Sequence, residues 1–159
     1  MKNLKERYKK LQQEFSLPSY EVLDNEFEFL YVREIFEISR PLVFIRRRIY
    51  DKLGWACSML QGIIQPNPGS IISIEESSFF TKEEKQKDII NLLKDLMYYE
   101  RLSGDLDLYS TDEQEAKLIK EMFSKWKEVR PKIKNITSKL TEGWKNQKDE
   151  SKKNNTYMG

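Results

Sequence analysis

Apolar residues return every three or four positions along most of this chain, the period of a helix that buries one face. Leu4, Tyr8, Leu11 and Phe15 mark the first such stripe, and Ser16-Leu17-Pro18-Ser19 breaks it. Ser19 then reads as the N-cap of a short helix, with Glu21 in its first turn beside the positive end of the dipole. Val22, Leu23 and Phe27 are expected to face inward from it. Residues Phe29 to Ile38 fit either a strand or a helix. Lacking any evident partner strand, the segment is read as helical. Pro41 suits the first turn of a helix, where its missing N–H costs nothing. Leu42, Ile45, Ile49, Leu53, Ala56, Leu60 and Ile63 follow at steps of three or four and predict the centre of the core. Gln65-Pro66-Asn67-Pro68-Gly69 ends that helix.

Ser70 to Phe80 reads as a connector that packs Ile71, Ile72, Ile74, Phe79 and Phe80 over the body. Thr81 with Glu84 forms a capping-box pattern, and Ser110 with Glu113 offers another. Between them Ile89, Leu92, Leu93, Leu96, Met97 and Leu102 mark one helix, with Ser103-Gly104 as its expected stop. Leu118, Ile119, Met122, Phe123, Trp126, Val129, Ile133, Ile136, Leu140 and Trp144 then form a continuous stripe. A straight helix from Asp112 to Gln147 would run roughly 54 Å, so a kink or break is expected at Arg130-Pro131. Lys148 to Gly159 is polar and aperiodic and is expected to be a disordered tail. The pattern therefore predicts an all-α fold: a single helical domain over 1–147, a bundle of about five or six helices, with residues 148–159 outside it.

Three segments resemble a known group. Lys5 to Phe29, reading KERYKKLQQEFSLPSYEVLDNEFEF, is similar to the opening of small all-helical cytoplasmic proteins of archaea that have no assigned activity. IRRRIYDKL and EMFSKWKEVRPKI look like later parts of the same pattern. The resemblance implies a helical fold and an archaeal cytoplasm and carries no site residues. Gly54 and Gly62 depart from it, standing where such helices carry better helix formers.

Composition narrows the chemistry. The chain has no histidine and one cysteine, Cys57. Histidine is the commonest general acid/base and transition-metal ligand near neutral pH, so the familiar serine, cysteine and zinc constellations each lack a central part. One cysteine makes no intramolecular disulfide. Met1 to Lys10 is charged throughout and predicts no signal peptide. The longest apolar stretch, Leu53 to Ile64, is about a dozen residues against the roughly 20 a span requires. These features point to the cytoplasm and away from the membrane. Charge is unevenly placed: Lys117 to Lys153 holds 12 basic and 5 acidic residues, a net of +7, although the whole chain carries only +2.

Spacing decides among the specific candidates. Asp105 and Asp107 fall in an expected loop but fail the EF-hand register, where Ser110 stands for glycine and Ala116 for glutamate. They read as a solvated acidic loop. Glu26, Glu28, Glu34 and Glu37 form an acidic segment with no sign of the burial that would set paired carboxylates apart. Cys57 sits mid-helix among apolar residues and reads as a small hydrophobe. Glycine-rich phosphate loops, GxSxG and CxxC are absent from the sequence. No catalytic residue, cofactor or metal site is expected.

The sharpest feature is Arg46-Arg47-Arg48, with Arg40 one heptad before Arg47. Arg40, Arg46, Arg47 and Arg48 are candidate contacts to phosphate or nucleic acid, with Phe44 or Tyr50 placed to stack on a base. Asp51, four after Arg47, competes for that charge. The later lysines, from Lys117 to Lys148, scatter around the non-apolar arc rather than forming one groove-reading stripe. The leading expectation is a non-enzymatic helical module that binds a protein partner or self-associates, a leftover face of Leu4, Tyr8, Leu11 and Phe15 being one route. The alternative is an RNA-binding protein using the arginine cluster and the lysine-rich C-terminal helix. An enzyme working through carboxylates, tyrosine or lysine is the third reading, and no small-molecule substrate is evident.

Overall fold

A computed structural model describes residues 4–29 and 38–156, with side chains as far as residue 151. The fold is all-α. Among the described residues there are six α-helices, α1 Leu4–Phe15, α2 Tyr20–Phe27, α3 Pro41–Ile64, α4 Ile71–Ser78, α5 Ile90–Leu108 and α6 Asp112–Thr156, with a π-helical segment at Glu84–Ile89. No strand occurs among the described residues. Residues 30–37, which include most of the segment read as helix between Phe29 and Ile38, lie outside them.

The helix boundaries have local causes. The Ser19 hydroxyl accepts from Val22 N–H and opens α2 as the sequence suggests. Ser16, at φ 52°, and Glu28, at φ 54°, adopt the left-handed conformation that closes α1 and α2. The Leu17 N–H reaches back to the Gln12 carbonyl, as in a Schellman turn. Thr81 and Glu84 form the expected reciprocal box: Thr81 N–H donates to Glu84 Oε2, and Glu84 N–H to Thr81 Oγ1. The second box lies one residue later than expected. Thr111 and Gln114 cap α6, while Ser110 gives its hydroxyl to Glu115.

Three boundaries differ from expectation. Helix α5 does not stop at Ser103-Gly104 but continues to Leu108. Gly104 has no positive φ, so it does not supply the left-handed cap that would end a helix there. Helix α6 is unbroken through Pro131. The proline withholds an N–H from the Lys127 carbonyl, yet buried Val129 and Ile133 on either side hold the helix in place, and the proline itself is exposed. The helix then continues to Thr156, past Gln147. Extending a formed helix adds one bond per residue without a new nucleation cost, and the lysines, Gln147 and Glu150 are sound helix formers.

The chain clusters into two compact units, Met1–Cys57 with Asp95–Lys127 and Ser58–Lys94 with Glu128–Gly159. In the first, Leu42, Ile45, Ile49, Leu53 and Ala56 of α3 are buried, as are Leu23, Leu96, Ile119, Met122 and Trp126. Rings link α1, α2 and α3: Tyr8 is tilted against Tyr20 at 5.9 Å, and edge contacts follow from Tyr20 to Phe29 at 5.7 Å and from Phe29 to Phe44 at 5.8 Å. The Tyr8 hydroxyl donates to the Pro18 carbonyl at 2.7 Å, and burial pushes its pKa up. Leu4 and Tyr8 are buried, so the apolar stripe of α1 is largely used inside this unit rather than left over.

In the second unit Leu60, Ile63, Phe80, Ile89, Leu92, Val129 and Ile133 are buried. Phe79 meets Trp144 edge-on at 5.6 Å, and Trp144 donates to Glu76 at 3.0 Å. Gly143 makes room for that ring, because a Cβ there would overlap Phe79. A Cβ on Gly54 or Gly62 meets nothing within 4 Å. Gly54→Ala and Gly62→Ala should therefore each stabilise the protein by about 0.5–1 kcal/mol. Gly143→Ala, the same substitution in the same kind of element, should destabilise it by about 1–3 kcal/mol through overpacking. Thermal melts of the three variants check both signs.

Candidate functional site

The four candidate arginines do not share a surface. Arg46 is wholly buried. Its Nε donates to Glu115 Oε2 at 2.6 Å, one terminal nitrogen to the Ser103 carbonyl and hydroxyl at 3.0 and 2.6 Å, and the other to Asp107 Oδ1 at 2.7 Å. Four of the five donors of its fork thus have partners on α5 and α6, and Glu115 is as buried as Arg46 itself. Burial pulls the guanidinium pKa down, but the bonds to Glu115 and Asp107 outweigh it and hold it above its ordinary value. Burial likewise raises the Asp107 carboxyl, and the bonds from Arg46 and Arg47 more than reverse that, leaving it below the usual carboxylate range. The expectation of Arg46 as a phosphate contact is corrected here: it is an internal strut of the first unit.

The other three lie at or near the surface. Arg47 Nε reaches Asp107 at 3.1 Å. Arg48 pairs with Asp51 at 3.3 Å and with the Glu28 carbonyl at 3.3 Å. Arg40 donates to the carbonyl and hydroxyl of Ser110 at 2.9 and 3.1 Å. Asp107 is helical rather than part of a loop and serves these arginines. Among the described residues no group of three or more cysteine or acidic side chains is placed to hold a metal ion, and no helix is long and apolar enough to cross a membrane.

The other candidates also fall to structural partners. Glu26 accepts from the Trp126 indole at 2.5 Å. Cys57 is buried, and burial with the nearby Glu100 pushes its thiol up to about 12, far from a reactive thiolate. Lys120 caps the Phe15 carbonyl, Lys127 lies over the Phe123 ring at 4.8 Å, and Lys139 pairs with Glu84 at 2.5 Å. That pairing, with the Thr81 N–H, holds the Glu84 carboxyl down at about 2. A carboxyl depressed in the folded state stabilises above its unfolded pKa, near 4.5, and loses that contribution as pH falls toward 2. The melting difference between wild type and Glu84→Gln should therefore be largest at neutral pH and shrink between pH 4.5 and 2.

What the sequence reading missed is on α4. Its isoleucines were expected to pack inward, yet Ile71 is 79 %, Ile72 62 % and Ile74 46 % exposed. Ser77 faces in instead. Ser77 is buried and donates to the Ile63 carbonyl at 2.7 Å, while accepting from Lys85 Nζ at 2.8 Å. Ser73 accepts from Asn67 N–H at 2.9 Å, and Ser70 caps the helix by accepting from Ser73 N–H. Glu75 and Glu76 are held by Gln147 and Trp144. The Ile63 carbonyl is one of the orphan acceptors at the end of α3, and satisfying it fixes the rotation of α4. With Ser77 turned inward, Ile71 and Ile72 lie on the other side of the helix, in solvent.

Elsewhere Leu108 and Tyr109, at the end of α5, are 88 % and 78 % exposed. Comparison of the chain with protein-family models, curated proteins and solved structures gave no match.

Proposed function

We propose that this protein is a non-enzymatic module that binds another protein through the isoleucine face of α4. One observation carries the reading: α4 is amphipathic the wrong way round, with Ser77 inside and isoleucines in water. A surface helix normally buries its apolar stripe, and apolar side chains gathered on one exposed element mark contact sites. The local hydrogen bonds that hold α4 in this rotation use its serines, so the isoleucines are spare.

The candidate arginines weigh against the RNA reading. Arg46 is internal, and Arg47 and Arg48 already face carboxylates, which lowers the positive field that RNA affinity requires.

A photo-reactive amino acid at position 72 tests the proposal in cells that produce the protein. The expected result is a discrete covalent adduct of defined mass that is lost when the label is moved to Glu113, an exposed position on α6. A diffuse smear, equal from both positions, would remove the reading. Light scattering of the purified chain separates self-association from a different partner.

A further inference from the structure

Granted that the isoleucine face of α4 is a contact surface, its chemistry selects the partner. The chain is 34 % charged, yet no charged residue occurs from Leu53 to Ile74. The part of that run leading into α4 is exposed: Gln65, Asn67, Pro68 and Gly69 in the loop, then Ile71, Ile72 and Ile74. Glu75 and Glu76 come next. Each is half-buried and tied back to α6, Glu75 by Gln147 at 2.6 Å and Glu76 by Trp144 at 3.0 Å. The patch is also rigid. The Asn67 side-chain oxygen accepts from Gly69 N–H at 2.9 Å, and its carbonyl accepts from Ser70 N–H at 3.0 Å. Its own N–H donates to Ser73 Oγ on α4 at 2.9 Å. Pro66 and Pro68 fix φ on either side. Loop and helix therefore present one preformed surface, and docking on it orders little new chain.

Electrostatics favour a second copy as the occupant. A two-fold interface sets a patch against itself, so any charge near the axis faces a like charge. An uncharged patch escapes that repulsion. The same lack of charge gives a foreign partner nothing to steer by or to pair with. Isoleucines left in water are a standing cost, and the one protein always present beside this chain is another copy of it. The patch comprises three isoleucines and a short loop, well short of the roughly 20–30 residues a side of a standard interface, so the pairing is weak and reversible.

We propose that a second copy of this chain covers the patch, α4 and the 65–69 loop of each packing on those of the other across a two-fold axis. This assignment rests on α4 being the contact surface.

Sedimentation equilibrium of the full chain tests this from about 1 µM to about 1 mM, the span of weak pairs. The expected mass rises from the 19.1 kDa of one chain to twice that value and stops there. Ile71 is exposed, so Ile71→Asp should keep the helical circular dichroism. It places a charge on both sides of the pair and should weaken pairing at least about 100-fold. Ile72→Asp, at a second exposed position, repeats the test should the first variant lose helicity. A mass fixed at one chain throughout overturns the proposal, as does pairing that survives both substitutions. Growth past two chains also overturns it, because α4 would then meet a different surface of the next copy. The photo-label at position 72 keeps this assignment apart from the reading it rests on. An adduct of twice the chain mass supports both. A discrete adduct of any other mass keeps α4 as the contact and removes the second copy, and the absence of a discrete adduct removes both.

Discussion

Arg46→Met is expected to lower the free energy of unfolding by about 3–5 kcal/mol, the largest effect of any single substitution outside the apolar core. The reason is less the lost attraction than what stays behind. Glu115 is wholly buried and loses the Nε donor that stands 2.6 Å from its carboxylate. The Ser110 hydroxyl still bonds it, but an ionised carboxylate without its counter-charge is expensive in a low-dielectric interior. The Ser103 hydroxyl also loses its partner at 2.6 Å, whereas Asp107 is 43 % exposed and can be rehydrated. Arg46→Lys should recover only part of the loss, since an ammonium cannot span Glu115, Ser103 and Asp107 with a planar fork. Arg46→Met with Glu115→Leu should recover most of it, because removing both charges removes the unpaired group. Urea unfolding of the three variants gives the ordering. A cost below about 1 kcal/mol for Arg46→Met would show that water reaches Glu115 and that the strut is dispensable.

This network was present in the sequence, in a form that a search for apolar residues passes over. Arg46 stands four residues after Leu42 and three before Ile49, inside the buried stripe of α3. Glu115 stands three before Leu118 and four before Ile119, and Ser103 seven after Leu96. Each is a polar residue at a core-facing phase of its helix, and three such residues on three helices are the signature of a buried polar cluster. Reading Arg46-Arg47-Arg48 as one charged run hid the fact that successive residues point 100° apart. Periodicity was sound where packing decides the outcome. Every member of the α3 series from Leu42 to Ile63 is buried, as is the α6 series from Leu118 to Ile133, whereas its continuation at Ile136, Leu140 and Trp144 is only half-buried.

Helix ends were less legible. A capping motif is a competition between neighbouring side chains, and Thr111 with Gln114 outcompetes Ser110 with Glu113 because Ser110 is drawn to Glu115. Hydrophobicity also gave the wrong rotation for α4. Three isoleucines in four residues predict burial from composition, but the buried side of α4 is taken by Ser77, which bonds the Ile63 carbonyl. An unsatisfied buried carbonyl costs about as much as a large exposed side chain gains. The reverse pattern is therefore stable only where the backbone of a neighbouring helix end requires it.

Replacing Ile71, Ile72 and Ile74 together by serine should abolish partner binding while leaving the fold untouched. The exposed fractions of the three side chains sum to nearly two whole isoleucines. Burying that much surface in a partner is worth about 3–5 kcal/mol, so the triple variant should bind at least roughly 100-fold more weakly. Stability should move by less than about 0.5 kcal/mol, as for other exposed positions, because Ser73, Ser77 and the Ser70 cap still fix the rotation of α4. The converse substitution separates binding from folding. Ser77→Ala removes the bond to the Ile63 carbonyl and strands Lys85 Nζ, so it should cost about 1–3 kcal/mol and release α4 to turn its isoleucines inward. Both variants would then lose the partner, one with normal stability and one without. A triple variant that keeps full affinity would show that the isoleucine face is not the contact.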